Sequence, residues 1–287
     1  MSSVVAGVAL AAVASVLFNL AIVIQAQEAR ELPQEREHGL QLSLIVRLVR
    51  RPRWLLGTAL GLTAFPLQTV ALLYAPLTAV QPADAAGLLV LLFLGARMLH
   101  ERVGRRELVA VAAIVSGIVI LTIAAPRREV TQVEGAAVLL PLLAVAVVGL
   151  APLLLRRWIG ASSVLVVAGA GFAFALGAFC AKIVADALDR EAWLAMVLGL
   201  GLAAAAAAVG TLSEQTALQR RPATQVAPII FAIELLVPVA LAVLVVGEDW
   251  ERSSLAGILA GLALVVAGAL SLARTPTVAR LLGEGAS

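Results

Sequence analysis

The chain alternates between long apolar runs and short polar gaps. The runs lie at about Val4–Ala26, Trp54–Tyr74, Leu77–Leu99, Leu108–Ala125, Gly135–Leu155, Ala161–Ala185, Trp193–Leu218, Val226–Val246 and Leu255–Ala273. A helix of about 20 apolar residues crosses the roughly 30 Å hydrocarbon core of a bilayer. The pattern therefore predicts an all-α, polytopic membrane bundle of nine spans in a single domain. Residues 39–49 form a tenth apolar stretch of only 11 residues, interrupted by Arg47. It reads as an amphipathic helix lying in the interface. The alternative is a tilted tenth span, which would place the N-terminus inside.

Composition agrees with this pattern. Of 287 residues, 62% are apolar and 14% charged, with a mean hydropathy of +1.03; soluble domains carry about 25% charged residues. The gaps leave no room for a soluble domain. The net charge of +3 is spread over short gaps rather than one face, which argues against nucleic acid as a partner. Sixteen of the 21 basic residues fall in the first, third, fifth and seventh gaps and in the tail, four fall in the alternate gaps, and Lys182 lies in a span. Short Lys/Arg-rich loops stay cytoplasmic. The expected location is thus the cytoplasmic membrane, with the C-terminus inside and the N-terminus outside. The first run has no Lys or Arg before Arg30, so it does not read as a cleaved signal.

Two strings repeat. APLTAVQP (75–82) and RPATQVAP (221–228) share Pro76/Pro222, Thr78/Thr224, Val80/Val226 and Pro82/Pro228 at a constant offset of 146. HERV (100–103) and GEDW (247–250) follow the next runs, and VSGIVIL (115–121) and VAGALSL (266–272) come after them. By the charge rule the two copies enter from opposite sides, which predicts inverted repeats over about residues 1–126 and 133–275. Such repeats underlie the rocking of many secondary transporters. Pro76, Pro82, Pro222 and Pro228 are the expected helix-breaking and gating positions, because proline removes a backbone donor.

Ionisable groups inside a bilayer are costly and face a cavity or a partner. Asp84, Lys182, Glu214 and Glu234 lie within runs. Glu234 should sit nearest the middle. Lys182 is expected either to pair with Asp84 or to snorkel to the outer interface. Glu214, near an inner end, is expected either to reach headgroup water or to face the interior. Asn19 and Gln81 add neutral polar groups, and Gln25, Gln215 and Gln225 lie near inner ends, where hydrogen bonds between helices explain such residues. A cavity lined by Asn19, Gln81, Asp84 and Glu234 offers oxygen ligands suited to a cation that keeps part of its water, as Mg²⁺ does; Asp84 and Glu234 are the candidate metal-contacting carboxylates. Cys180 is the only cysteine, and His38 and His100 stand at run borders, so neither a disulfide framework nor a zinc site is predicted. No phosphate-binding loop and no serine–histidine pair is present, so neither an ATPase nor an enzyme is expected, and no cofactor is implied. GTALG (57–61) and GILAG (257–261) read as close helix packing; they are weak evidence for a homo-dimer.

YAPLTAVQP, HERV, SGIVIL, the CAK of 180–182 and TALQRRPATQVAPI (216–229) resemble the NIPA-type magnesium transporters, within the drug/metabolite transporter superfamily with its EamA-like repeats. The resemblance covers most of residues 4–273 and implies nine spans and movement of Mg²⁺ without ATP hydrolysis. It departs from the family after Gln81-Pro82, where Asp84 is followed by Ala and Leu rather than small hydroxylated residues, and at Arg97. Fold does not fix cargo, so export of a small organic metabolite or drug stands as the alternative, and a non-transporting membrane scaffold as a third reading. The expected partners are membrane lipid and a small solute or Mg²⁺.

Overall fold

The computed structural model describes residues 2–33, 42–75, 77–124, 136–155, 164–189, 191–246 and 252–273. These residues form helices and their connections, with no strand among them. In chain order the helices are α1 (Ser2–Glu31), α2 (Leu42–Val49), α3 (Pro52–Tyr74), α4 (Leu77–Met98), α5 (Arg105–Ala124), α6 (Ala136–Leu154), α7 (Val164–Asp189), α8 (Trp193–Leu218), α9 (Ala223–Val246) and α10 (Arg252–Ala273). By length and composition, α1 from Val5, α5 and α8 can each cross a membrane; shorter apolar stretches lie in α4, α6, α7, α9 and α10. Leu62, Phe93, Val109, Ile123, Leu194 and Leu198 are exposed. Large apolar side chains exposed along α3, α4, α5 and α8 suit acyl chains better than water.

The helices begin and end near the expected positions, with two informative differences and one expectation met. Helix α1 continues five residues past Ala26 to Glu31, carrying its last turn beyond the apolar run. Helix α2 is a short amphipathic helix: Leu44 and Leu48 pack on Ala29, Leu32 and Trp54, while Val46, Arg47 and Val49 are exposed. That fits the interfacial reading. Helix α9 starts at Ala223 rather than Val226, so Pro228 is its sixth residue, just as Pro82 is the sixth of α4. At that depth a proline removes a real i→i−4 bond, and the carbonyl of Thr224 loses that partner.

The packing has a recurring pattern. Helix α1 packs chiefly on α3 and α4, and α4 on α5; α7 packs on α8 and α9, and α9 on α10; α5 runs along α10. Directions follow from which ends meet. Gln27 near the end of α1 donates to the Met98 carbonyl at the end of α4. Gln25 of α1 reaches Thr58 near the start of α3. Gly95 near the end of α4 lies against Thr224 at the start of α9. Arg106 at the start of α5 contacts Ser271 near the end of α10. Trp54 near the start of α3 meets Gln215 near the end of α8. Thus α1, α4, α8 and α10 run toward one end of the bundle, and α3, α5 and α9 run away from it. Gly171 of α7 abuts Ile230 and Ile233 of α9, seven residues into α7 and seven to ten into α9, so α7 also starts at that end.

The closest backbone approach is that of α5 to α10. A Cβ built on Gly117 would lie 2.7 Å from the Gly261 carbonyl, and one on Gly261 would lie 2.8 Å from the Gly117 carbonyl. One on Gly268 would lie 2.5 Å from the Ala110 carbonyl. Only glycine allows backbones this close. Gly57 and Gly61 likewise sit against Ala21 of α1. Both Gly-x-x-x-Gly strings are therefore used inside the chain.

Candidate functional site

Polar residues gather in two layers. The outer layer closes the end that carries Arg30, Arg51, Arg97, Arg102, Arg105, Arg106, Arg220 and Arg221. Its centre is Glu101, placed by the way α4 stops. His100 takes a left-handed φ of 54°, and the Glu101 N–H returns to the Gly95 carbonyl at 3.1 Å. The bond reaches one residue further back than the six-to-one bond of a Schellman ending, though like that ending it needs a left-handed residue just past the helix, and it swings the Glu101 side chain back over the bundle. There Oε1 accepts from Arg30 at 2.5 Å and from the Ala223 N–H at 2.7 Å. Oε2 accepts from the Thr224 N–H at 3.0 Å and from Thr224 Oγ1 at 2.6 Å. The carboxylate thus caps the first amides of α9, where the helix dipole favours negative charge. Its side chain is 5% exposed.

The guanidinium of Arg30 completes this arrangement. Besides Glu101 it donates to the carbonyls of Leu218 and Arg221, each at 3.1 Å, beside the C-terminus of α8, where a cation is favoured. One ion pair therefore holds both sides of the α8–α9 corner: cation on the outgoing carbonyls, carboxylate on the incoming amides. Three further bonds join the same elements. Trp54 Nε1 donates to Gln215 Oε1 at 3.2 Å, Gln215 Nε2 donates to Gln25 Oε1 at 2.9 Å, and Gln219 Nε2 donates to the Ala29 carbonyl at 3.0 Å. Arg51 bonds Glu28 at 3.0 Å and Glu31 at 2.5 Å. The Glu28 bond first, then the Glu31 bond, push its pKa above the ordinary arginine value. Burial pulls Arg221 down from that value.

The inner layer lies deeper. Glu234 is 11 residues into α9, or about 16 Å along its axis. Glu214 is four residues from the end of α8 and is buried. Of the two expectations for Glu214, burial in the interior is the one observed. Ser213 Oγ is fully buried with no hydrogen-bond partner among the described residues. Asn19 is buried and donates to the Ser15 carbonyl at 2.8 Å. It faces α4 at Gly87, where an added Cβ would meet its Nδ2 at 2.7 Å. Asp84 stands in α4 three residues before Gly87 and Gln81 six before. The side chains of Gln81, Pro82, Asp84 and Lys182, and all of Pro76, lie outside the described residues. Pro222 precedes α9, and its carbonyl accepts from Gln225 and Val226 at 3.0 Å. Among the described residues no three His, Cys, Asp or Glu converge as a metal site.

Glu101 and Arg30 were not among the sequence candidates, since charges in gaps read as topology signals. The one available signal was HERV itself, which recurs in the second half as GEDW. Gln25 and Gln215 do bond between helices as expected. No protein-family model, curated protein or solved structure matches the chain.

Proposed function

We propose that this chain is a multi-pass carrier of the drug/metabolite transporter type, with nine spans in two inverted repeats, moving Mg²⁺ or another small cationic solute across the cytoplasmic membrane without ATP hydrolysis. The observation that carries the reading is the paired packing. Helices α1, α3, α4 and α5 have the same mutual neighbours as α7, α8, α9 and α10, and each helix runs opposite to its counterpart. That relation agrees with the 146-residue offset of the proline strings, and α6 links the two sets. Inverted repeats place cargo near the midplane, between the repeats. Glu234, Asn19 and Ser15 stand near the middle of their helices, and Glu214 stands nearer the Arg-rich end.

Positive charge on the cargo is supported by the acidic interior. Glu214 is buried and Glu234 half-buried; among the described residues neither accepts a hydrogen bond or ion pair from a base, and a carboxylate withdrawn from water needs a compensating proton or cation. Mg²⁺ commonly holds one or two carboxylates and keeps several waters, which suits two carboxylates better than a closed cage. The Arg-rich end is then cytoplasmic by the charge rule, which puts the C-terminus inside and the N-terminus outside. The test is Mg²⁺ flux into proteoliposomes with an entrapped indicator. Wild type should carry Mg²⁺ down its gradient, and Glu234→Gln should cut the rate at least fivefold while the protein stays monodisperse. Flat uptake by intact wild-type protein rejects the magnesium reading and directs the search to an organic cargo.

A further inference from the structure

The Arg30–Glu101 pair is placed where a carrier must open. We infer that this pair, seated on the α8–α9 corner, is the inner gate: the contact that parts when the pathway opens toward the Arg-rich end. The inference rests on the carrier reading above.

Three observations support it. First, the bonds cross between the two helix sets. Arg30 of α1 reaches Leu218 and Arg221, while Glu101, after α4, reaches Ala223 and Thr224. Trp54, Gln25 and the Ala29 carbonyl add cross-set bonds to Gln215 and Gln219. Second, they lie between the inner carboxylates and the Arg-rich surface, about 16 Å of α9 below Glu234. Third, their chemistry is reversible. A hydrogen bond exchanged for one to water changes free energy little, and Arg30 is 27% exposed at its side chain, so water has access. The α5–α10 seam is the opposite case. There backbone touches backbone through Gly117, Gly261 and Gly268, and close packing of this kind does not part and rejoin at small cost. The seam is the pivot and the ion pair is the latch.

Helix α9 carries no acidic residue of its own in its first turn. The carboxylate that caps it comes from 122 residues earlier in the chain, so the cap leaves when the gate opens.

Site-directed labelling tests this without knowledge of the cargo. Cys180→Ala removes the native thiol, and Ser213→Cys places a near-isosteric reporter behind the latch. Inverted membrane vesicles expose the Arg-rich side to a membrane-impermeant maleimide. Glu101→Ala should raise the labelling rate of the reporter at least tenfold over the parent. Arg30→Gln, which leaves the α9 cap in place, should raise it by an intermediate factor. Each variant is checked for a single symmetric elution peak; if Glu101→Ala fails that check, Arg30→Gln and Thr224→Val carry the test. Rates within twofold of the parent in the folded variants overturn the gate. Accelerated labelling alongside flat Mg²⁺ uptake upholds the gate and rejects only the magnesium cargo.

Discussion

One chemical change made at two glycines should act with opposite sign. Gly261→Ala adds a methyl group 2.8 Å from the Gly117 carbonyl, 2.8 Å from Leu121 Cγ and 3.0 Å from the Leu121 nitrogen. Two of these neighbours are backbone and cannot rotate away. Restoring ordinary contact at 3.4 Å moves α5 and α10 apart by about 0.6 Å, a strain of the kind that costs about 1–3 kcal/mol. The helical preference of alanine over glycine returns at most ~1 kcal/mol. The net effect should be a loss of about 1–2 kcal/mol, or roughly 2–6 °C in thermal midpoint for a chain of this size. Gly201→Ala differs because nothing lies within 4 Å of the added methyl. There only the propensity gain of up to about 1 kcal/mol remains, so the midpoint should hold or rise by roughly 0–3 °C. The assay is the midpoint of monodisperse protein in one detergent, followed by fluorescence-detected size exclusion after heating. If Gly261→Ala is neutral, or both variants shift the same way, the tight α5–α10 seam is wrong.

Other outcomes follow from single contacts. Gln215→Leu deprives the Trp54 N–H and the Gln25 carbonyl of partners, and should cost about 1–3 kcal/mol in the same thermal assay; an unchanged midpoint would show that these bonds are absent. His100→Gly removes the strain of a left-handed side chain and should gain about 1 kcal/mol, whereas His100→Val should lose stability; the reverse order would contradict the turn that places Glu101. In variants keeping a single tryptophan, brominated lipid should quench Trp193, which is exposed, and spare Trp54, which is buried; equal quenching would mean that the outer face of α8 is not the lipid face.

The apolar runs made the helices readable, because crossing a bilayer demands length and composition that nothing else in the chain imitates. The short α2 was readable for the complementary reason: it is too short to cross, and Arg47 sits within it. The proline strings pointed to a repeat; Pro82 and Pro228 are each sixth in their helix. What the residues could not convey was distance in space. Arg30 and Glu101 stand 71 residues apart and Thr224 a further 123 along, and each in isolation is an ordinary residue near a membrane border. The burial of Glu214 was hidden for a related reason. Its position near the end of an apolar run suggests headgroup water, and nothing in the run itself tells which face of α8 the side chain takes. Glu248 in GEDW follows Glu101 at an interval of 147 residues; it lies outside the described residues.

The wide separation of the groups around Glu101 has a consequence for biosynthesis. A ribosome releases Arg30 and Glu101 long before Ala223 and Thr224 exist, so the early helices must wait in the lipid with a charged pair that has no seat. Completion of α9 is the moment at which that end can assemble, and nascent chains halted before it should be preferred clients of membrane quality control.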